Sequence, residues 1–207
     1  MRAPWEITAY TADVAERKAG YRFGQLAVLG FLAGAFIAFA AEGSTMAAFN
    51  LFARPETYGL GRVLAGAVFG TGLMLVVVAG GELFTGNTLM VVGLLRRRIT
   101  AKAMLRNWTI VYLANFAGAL FLAWAMAHTE LFDSGAGMLG AVTVRIAAAK
   151  TAMGFTEAFI LGILCNWLVC LAIFMAYGAG TVEGKILSVF FPIWLFITSG
   201  FEHSVAN

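Results

Sequence analysis

Five uncharged apolar runs constrain this chain more than any other feature: Phe23 to Ala41, Val63 to Gly81, Asn107 to Ala127, Ala158 to Val182, and a shorter one from Ile186 to Phe201. A helix needs about 20 mostly apolar residues to cross about 30 Å of hydrocarbon, so the runs predict five membrane-spanning helices. Composition agrees: 61% of residues are hydrophobic and 12% charged, against about 25% charged in an average soluble domain. The net charge of +3 does not point to nucleic acid, because the basic residues gather at the ends of the runs and form no stripe interleaved with aromatics. The expected fold class is an all-α membrane protein.

The second run resumes after Glu82 as Leu83 to Leu95, too long for one span and too short for two. A broken helix is the expected solution, with Gly80, Gly81 and Gly86 marking the break. Non-helical backbone at membrane depth is tolerated where it lines a cavity or is buried in protein. Gly30 with Gly34, and Gly66 with Gly70, have the small-residue spacing that lets membrane helices approach closely.

Charge sets the expected topology. Arg17, Lys18 and Arg22 precede the first run, and Arg96, Arg97, Arg98, Lys102 and Arg106 separate the second from the third. By the positive-inside rule both clusters and the amino terminus are cytoplasmic, which leaves the loops Glu42 to Arg62 and His128 to Glu157 outside. Residues 1–22 read as a polar cytoplasmic segment, and residues 23–207 as the transmembrane domain. The amino-terminal segment lacks the apolar core and cleavage site of a secretory signal. Cys165 and Cys170 turn about 140° from each other on a helix and read as core thiols.

Two segments share a pattern. Glu82 stands five residues before Asn87 in the first half, and Glu202 five residues before Asn207 at the end, each after an apolar run. Interrupted segments at matching places in two halves point to a transporter's binding site. An ionisable residue at membrane depth costs about 2.5 to 3.5 kcal/mol, so Glu82, Glu202 and His203 need partners, water or an interfacial position. The glutamates read first as braces for broken backbone, and His203 as a pore residue.

The stretches GELFTGNTLM at 81–90, NWTIVYLANFAGAL at 107–120, EAFILGILCNWLVCLAIFMAY at 157–177 and SGFEHSVAN at 199–207 resemble the formate/nitrite transporter family, in order along nearly the whole chain. The resemblance implies an aquaporin-like helical bundle of two inverted halves with broken second and fifth helices, assembled as a homopentamer with a pore in each subunit of a bacterial-type inner membrane. It implies a small monovalent anion such as formate or nitrite as substrate, and no cofactor. By similarity, Thr85 and His203 face each other at mid-pore, with the histidine relaying protons. Leu73 and Phe196 narrow the cytoplasmic side, with Phe69 in the same lining. Leu83 and Phe84 belong to the first break, Asn166 is a polar pore residue, and Lys150 attracts anions at the outer mouth. Glu82, Asn87, Glu202 and Asn207 support the breaks.

Each residue has a plainer reading beside that one. Leu73, Phe69 and Phe196 suit ordinary packing, Lys150 suits an interfacial anchor, and the Thr85 hydroxyl suits a freed carbonyl at the break. The family has a sixth helix after the broken fifth, so the pore domain is expected to be incomplete at its carboxyl end. The competing function is an aquaporin-like channel for water or small neutral solutes, but there is no Arg at the breaks and no paired Asn-Pro-Ala segment. A hydrolase built on Ser199 or Ser204 with His203 lacks suitable spacing and the Gly-x-Ser-x-Gly elbow. The other histidine, His128, lies at the end of the third run and makes a metal site a weaker reading still.

Overall fold

The computed structural model describes residues 1–205. Long apolar stretches with few helix breakers form α2 (Phe23–Phe52), α3 (Tyr58–Leu75), α6 (Ala101–Ala127), α8 (Phe155–Gly178) and α9 (Val182–Ser199). Among the described residues, five helices, counting α3 with its extension to Gly80, are long and apolar enough to cross a membrane by length and composition. A helix α1 (Pro4–Ala19) precedes them, with Pro4 at its first position, where the missing N–H costs nothing. Between α3 and α6 lie the short α4 (Phe84–Asn87) and α5 (Val91–Leu95), joined by a 3₁₀ turn. Between α6 and α8 lies α7 (Met138–Thr151).

Two sequence expectations need correcting. The segment from Glu42 is not an outer loop, because Ala, Met and Phe carry α2 on to Phe52 and place Glu42 inside the helix. The segment from His128 to Glu157 is not all loop either, since Leu139 and Val142 of α7 bury themselves against Phe49 of α2.

Glycines fix how the helices meet. A Cβ at Gly34 falls 2.0 Å from the Asn115 carbonyl oxygen, and one at Gly118 falls 2.0 Å from the Phe31 carbonyl oxygen. Only hydrogen allows α2 and α6 to pack this closely, and the contacts advance together along both helices, so the two run parallel. Gly66 lies against Trp194 and Gly70 against Phe190, which sets α3 antiparallel to α9. The core lies mainly between α2, α3, α8 and α9, including Ile37, Phe69, Leu73, Leu83, Val169 and Phe196. Outside it, Phe116, Trp124, Trp167 and Leu195 are more than half exposed. Apolar exteriors of this kind suit lipid and neighbouring helices, and the chain is a multi-pass membrane protein.

The helix after α3 is interrupted as expected, but not at every expected glycine. The helix widens to a π turn over Val76–Gly80, and Gly80 ends it at φ +94°, a conformation costly for residues with a Cβ. Residues 81–83 are non-helical, and Gly86 is helical within α4 rather than part of the break. Gly200 ends α9 in the same way, at φ +82°.

Candidate transport site

The two breaks converge in the core. Thr85, one residue into α4, and His203, three residues beyond Gly200, stand with Oγ1 and Nε2 3.2 Å apart. Both are buried. The Val205 N–H donates to Nδ1 of the same ring at 3.2 Å, so a neutral imidazole carries its proton on Nε2 and donates toward Thr85. Charging the ring adds a proton at Nδ1 and requires the Val205 amide to turn away. The ring also stacks on Phe196 at 5.9 Å between centroids, and Phe196 meets Phe69 edge-on at 6.0 Å.

Leu73, Leu83, Phe69 and Phe196 belong to one apolar cluster. Phe196 is in the last turn of α9, and because α3 runs antiparallel, Phe69 is its neighbour while Leu73 lies a turn further toward Gly80. Phe84 opens α4 directly after the break, and its ring packs edge-on against Trp108 and Tyr112 of α6.

The first break is held by a network of buried amides and charges. Lys18, at the end of α1, donates to Glu82 at 2.9 Å and to the Asn87 side-chain oxygen at 2.6 Å. The Asn87 amide donates to Glu82 at 2.7 Å and to Asn107 at 2.8 Å, and Trp108 donates to the Asn87 carbonyl at 2.8 Å. Asn115 closes the network: its amide nitrogen donates to the carbonyls of Gly30 and Glu82, and its oxygen accepts from the Phe84 N–H. Backbone groups freed from a helix at a break need new partners, and side chains supply them here. Lys18, Asn107 and Asn115 carry this support, and in the sequence Lys18 stands out only as part of the basic cluster before the first run. Asparagines inside an apolar run were the available signal for the other two.

The second break carries a matching charge pair. Lys150, at the end of α7, bonds Glu202. Ser204 donates to the Asn166 oxygen at 2.9 Å, and the Asn166 amide donates to Gly162 within α8. Asn166 therefore ties the break to α8. Asn207 lies outside the described residues.

A cavity opens beside each break. One, of about 820 Å³, has Glu82, Leu83, Gly86 and Asn87 on its wall, with Arg2, Arg17, Lys18 and Lys185 against Glu6 among its other charged groups. The other, of about 570 Å³, includes Lys150, Ser204 and Val205. Thr85 and His203 thus have chain neighbours, Gly86 and Ser204, on the walls of the two cavities.

Comparison with known proteins decides the lineage. The family described as Formate/nitrite transporter matches residues 5–207. The chain belongs to the formate/nitrite transporter family. It is 38% identical to a probable formate transporter of Methanothermobacter thermautotrophicus, covering all of this chain and 81% of that protein. It is 40% identical to a formate channel of Bacillus thuringiensis, covering 99% and 78%. Among solved structures, a pentameric formate channel with formate bound matches with TM-score 0.80 and 35% identity, covering 89% of this chain and 72% of that one. An ion channel of the same family matches with TM-score 0.84 and 32% identity, covering 98% and 80%. These relatives are channels and transporters, and this member of the formate/nitrite transporter family is not an enzyme.

Proposed function

We propose that this protein passes formate, and similar small monovalent anions such as nitrite, through a pore in each subunit of a homopentamer in the inner membrane, with its amino terminus cytoplasmic. The observation that carries this reading is the buried Thr85–His203 pair, set beside an apolar cluster and with chain neighbours on the walls of two cavities. The named relatives handle formate, the pentameric neighbour suggests the assembly, and the basic residues from Arg96 to Arg106 suggest the orientation.

An anion cannot cheaply leave water for an apolar passage. Formate resembles a side-chain carboxyl with pKa about 4, so protonating it at pH 7 costs only about 4 kcal/mol. In the proposed path, Lys150 draws the anion toward the outer break. Phe69 with Phe196, and Leu73 with Leu83, narrow the passage on either side of the polar pair. Asn166 keeps Ser204 in place, and the Lys18–Glu82–Asn87 brace, with Glu202 opposite, keeps both breaks open. Thr85 and His203 bind the anion, the imidazolium gives it a proton, and formic acid leaves. The neutral ring regains its proton from water on the side it faces.

The test uses the natural polypeptide in liposomes, with internal pH recorded after formate addition and nitrite and glycerol in parallel. Formate-driven proton movement that disappears in His203→Asn supports the relay. Unchanged proton movement in that variant sinks it, and glycerol passage without any anion response favours the neutral-solute channel instead.

A further inference from the structure

Glu42 takes part in neither charge brace, yet it stands inside α2. Its Oε1 is buried without a hydrogen-bond partner. The side chain reaches the cavity that holds Lys150, Ser204 and Val205. That cavity therefore adjoins the segment carrying His203 and is lined by Lys150, which bonds Glu202, and by Glu42, whose Oε1 has no hydrogen-bond partner. Ile37, Phe116 and Leu122 supply apolar wall, so charges there are weakly screened compared with charges in open water.

We propose that Glu42 tunes anion entry by its charge: ionised, it opposes an anion approaching Lys150, and protonated, it removes that opposition. The inference rests on the anion-transport reading and adds a residue that sets its apparent affinity. The other titratable groups on the wall are Tyr112 from α6 and Lys150 from α7, with Glu202 facing Lys150 from the outer break. Arg145 of α7 is directed to the Phe52 carbonyl at the end of α2, and among the described residues α3 and α9 contribute none to this wall. Because Glu42 acts in the cavity and not at Thr85–His203, it alters occupancy before crossing. Its signature is therefore KM for the outside anion, not kcat.

The experiment measures formate uptake against formate concentration in right-side-out membrane vesicles at external pH 6 and 8, for wild type, Glu42→Gln and Glu42→Asp. At pH 8, Glu42→Gln is expected to lower KM by roughly fivefold, the scale of one removed charge at partly screened distance, with kcat unchanged. At pH 6 the difference shrinks. Glu42→Asp keeps the charge and keeps the wild-type KM at both values. Equal KM in wild type and Glu42→Gln at both pH values overturns the inference, as does a fall in Glu42→Asp as large as in Glu42→Gln, which would mark packing and not charge. A wild type that passes no formate fails differently, by removing the functional reading on which the inference rests.

Discussion

The two breaks share a scaffold and differ in the residue that follows the glutamate. Each begins with a left-handed glycine, Gly80 or Gly200, and two positions later places a glutamate against a lysine from the end of a helix outside the long spans. At the first break the next residue is Leu83, which joins the apolar cluster; at the second it is His203, which meets Thr85. The braces differ too. Lys18 and Glu82 have side chains 14% and 7% exposed and share their bonds with Asn87, whereas Lys150 and Glu202 are 32% and 15% exposed, although each lysine lines a cavity. The same backbone device thus serves as a buried anchor on one side and as the mount for a polar ring on the other.

If that contrast is right, the largest loss of stability comes from the first brace. Lys18→Met leaves the Glu82 carboxylate buried without its cation, and breaking one side of a buried pair costs about 3 to 5 kcal/mol. Thermal unfolding of the purified protein in detergent reads this out. Lys18→Met with Glu82→Gln is expected to recover much of the loss, because no net charge is then left uncompensated. A single variant as stable as wild type would remove the distinction between anchor and mount.

Next comes the packing that presses α2 onto Asn115 and so onto the first break. Gly34→Ala drives a methyl into the Asn115 backbone, and overpacking of this kind costs about 1 to 3 kcal/mol. Gly24→Ala, where an added Cβ meets nothing within 4 Å, is the control and is expected to leave the unfolding temperature unchanged or slightly raised. Lys150→Met should cost less than Lys18→Met, about 1 to 2 kcal/mol, because solvent screens a pair that is one-third exposed at the lysine. A loss as large as that of Lys18→Met in the same unfolding assay would mean the second brace is as much an anchor as the first.

Much of this architecture was legible because bilayer crossing imposes length and apolarity on a single helix at a time. The five spans, the break after α3 and the polar glutamates all follow from local runs of residues. Helix ends were less legible: Glu42 looked like the start of a loop, yet Ala and Met after it propagate α2 to Phe52 and tertiary packing on α7 holds it there. What escaped the sequence was pairing across distance. Nothing local tells that Lys18 reaches Glu82, that Asn115 bridges Gly30, Glu82 and Phe84, or that the Phe84 ring turns to α6. Those contacts depend on the close glycine-mediated approach of α2 and α6, a property of two helices and not of either sequence alone.

The sharpest functional test of the comparison exchanges the residues that follow the two glutamates. His203→Leu gives the second break the residue that the first one has, and it removes the hydrogen bonds with Thr85 and with the Val205 N–H, each worth about 1 kcal/mol. Exchanging the two residues, with Leu83→His added, restores the composition but not the geometry. Leu83 is packed in the apolar cluster and also reaches the cavity shared with Lys18, whereas His203 has Thr85 at Nε2, the Val205 amide at Nδ1 and Phe196 against its face. The exchanged protein is therefore expected to fold and to lack pH-dependent formate movement, as the single variant does. Recovery of that movement in the exchanged protein would show the two breaks to be interchangeable, and would place the chemistry in the shared scaffold instead of in the surroundings of His203.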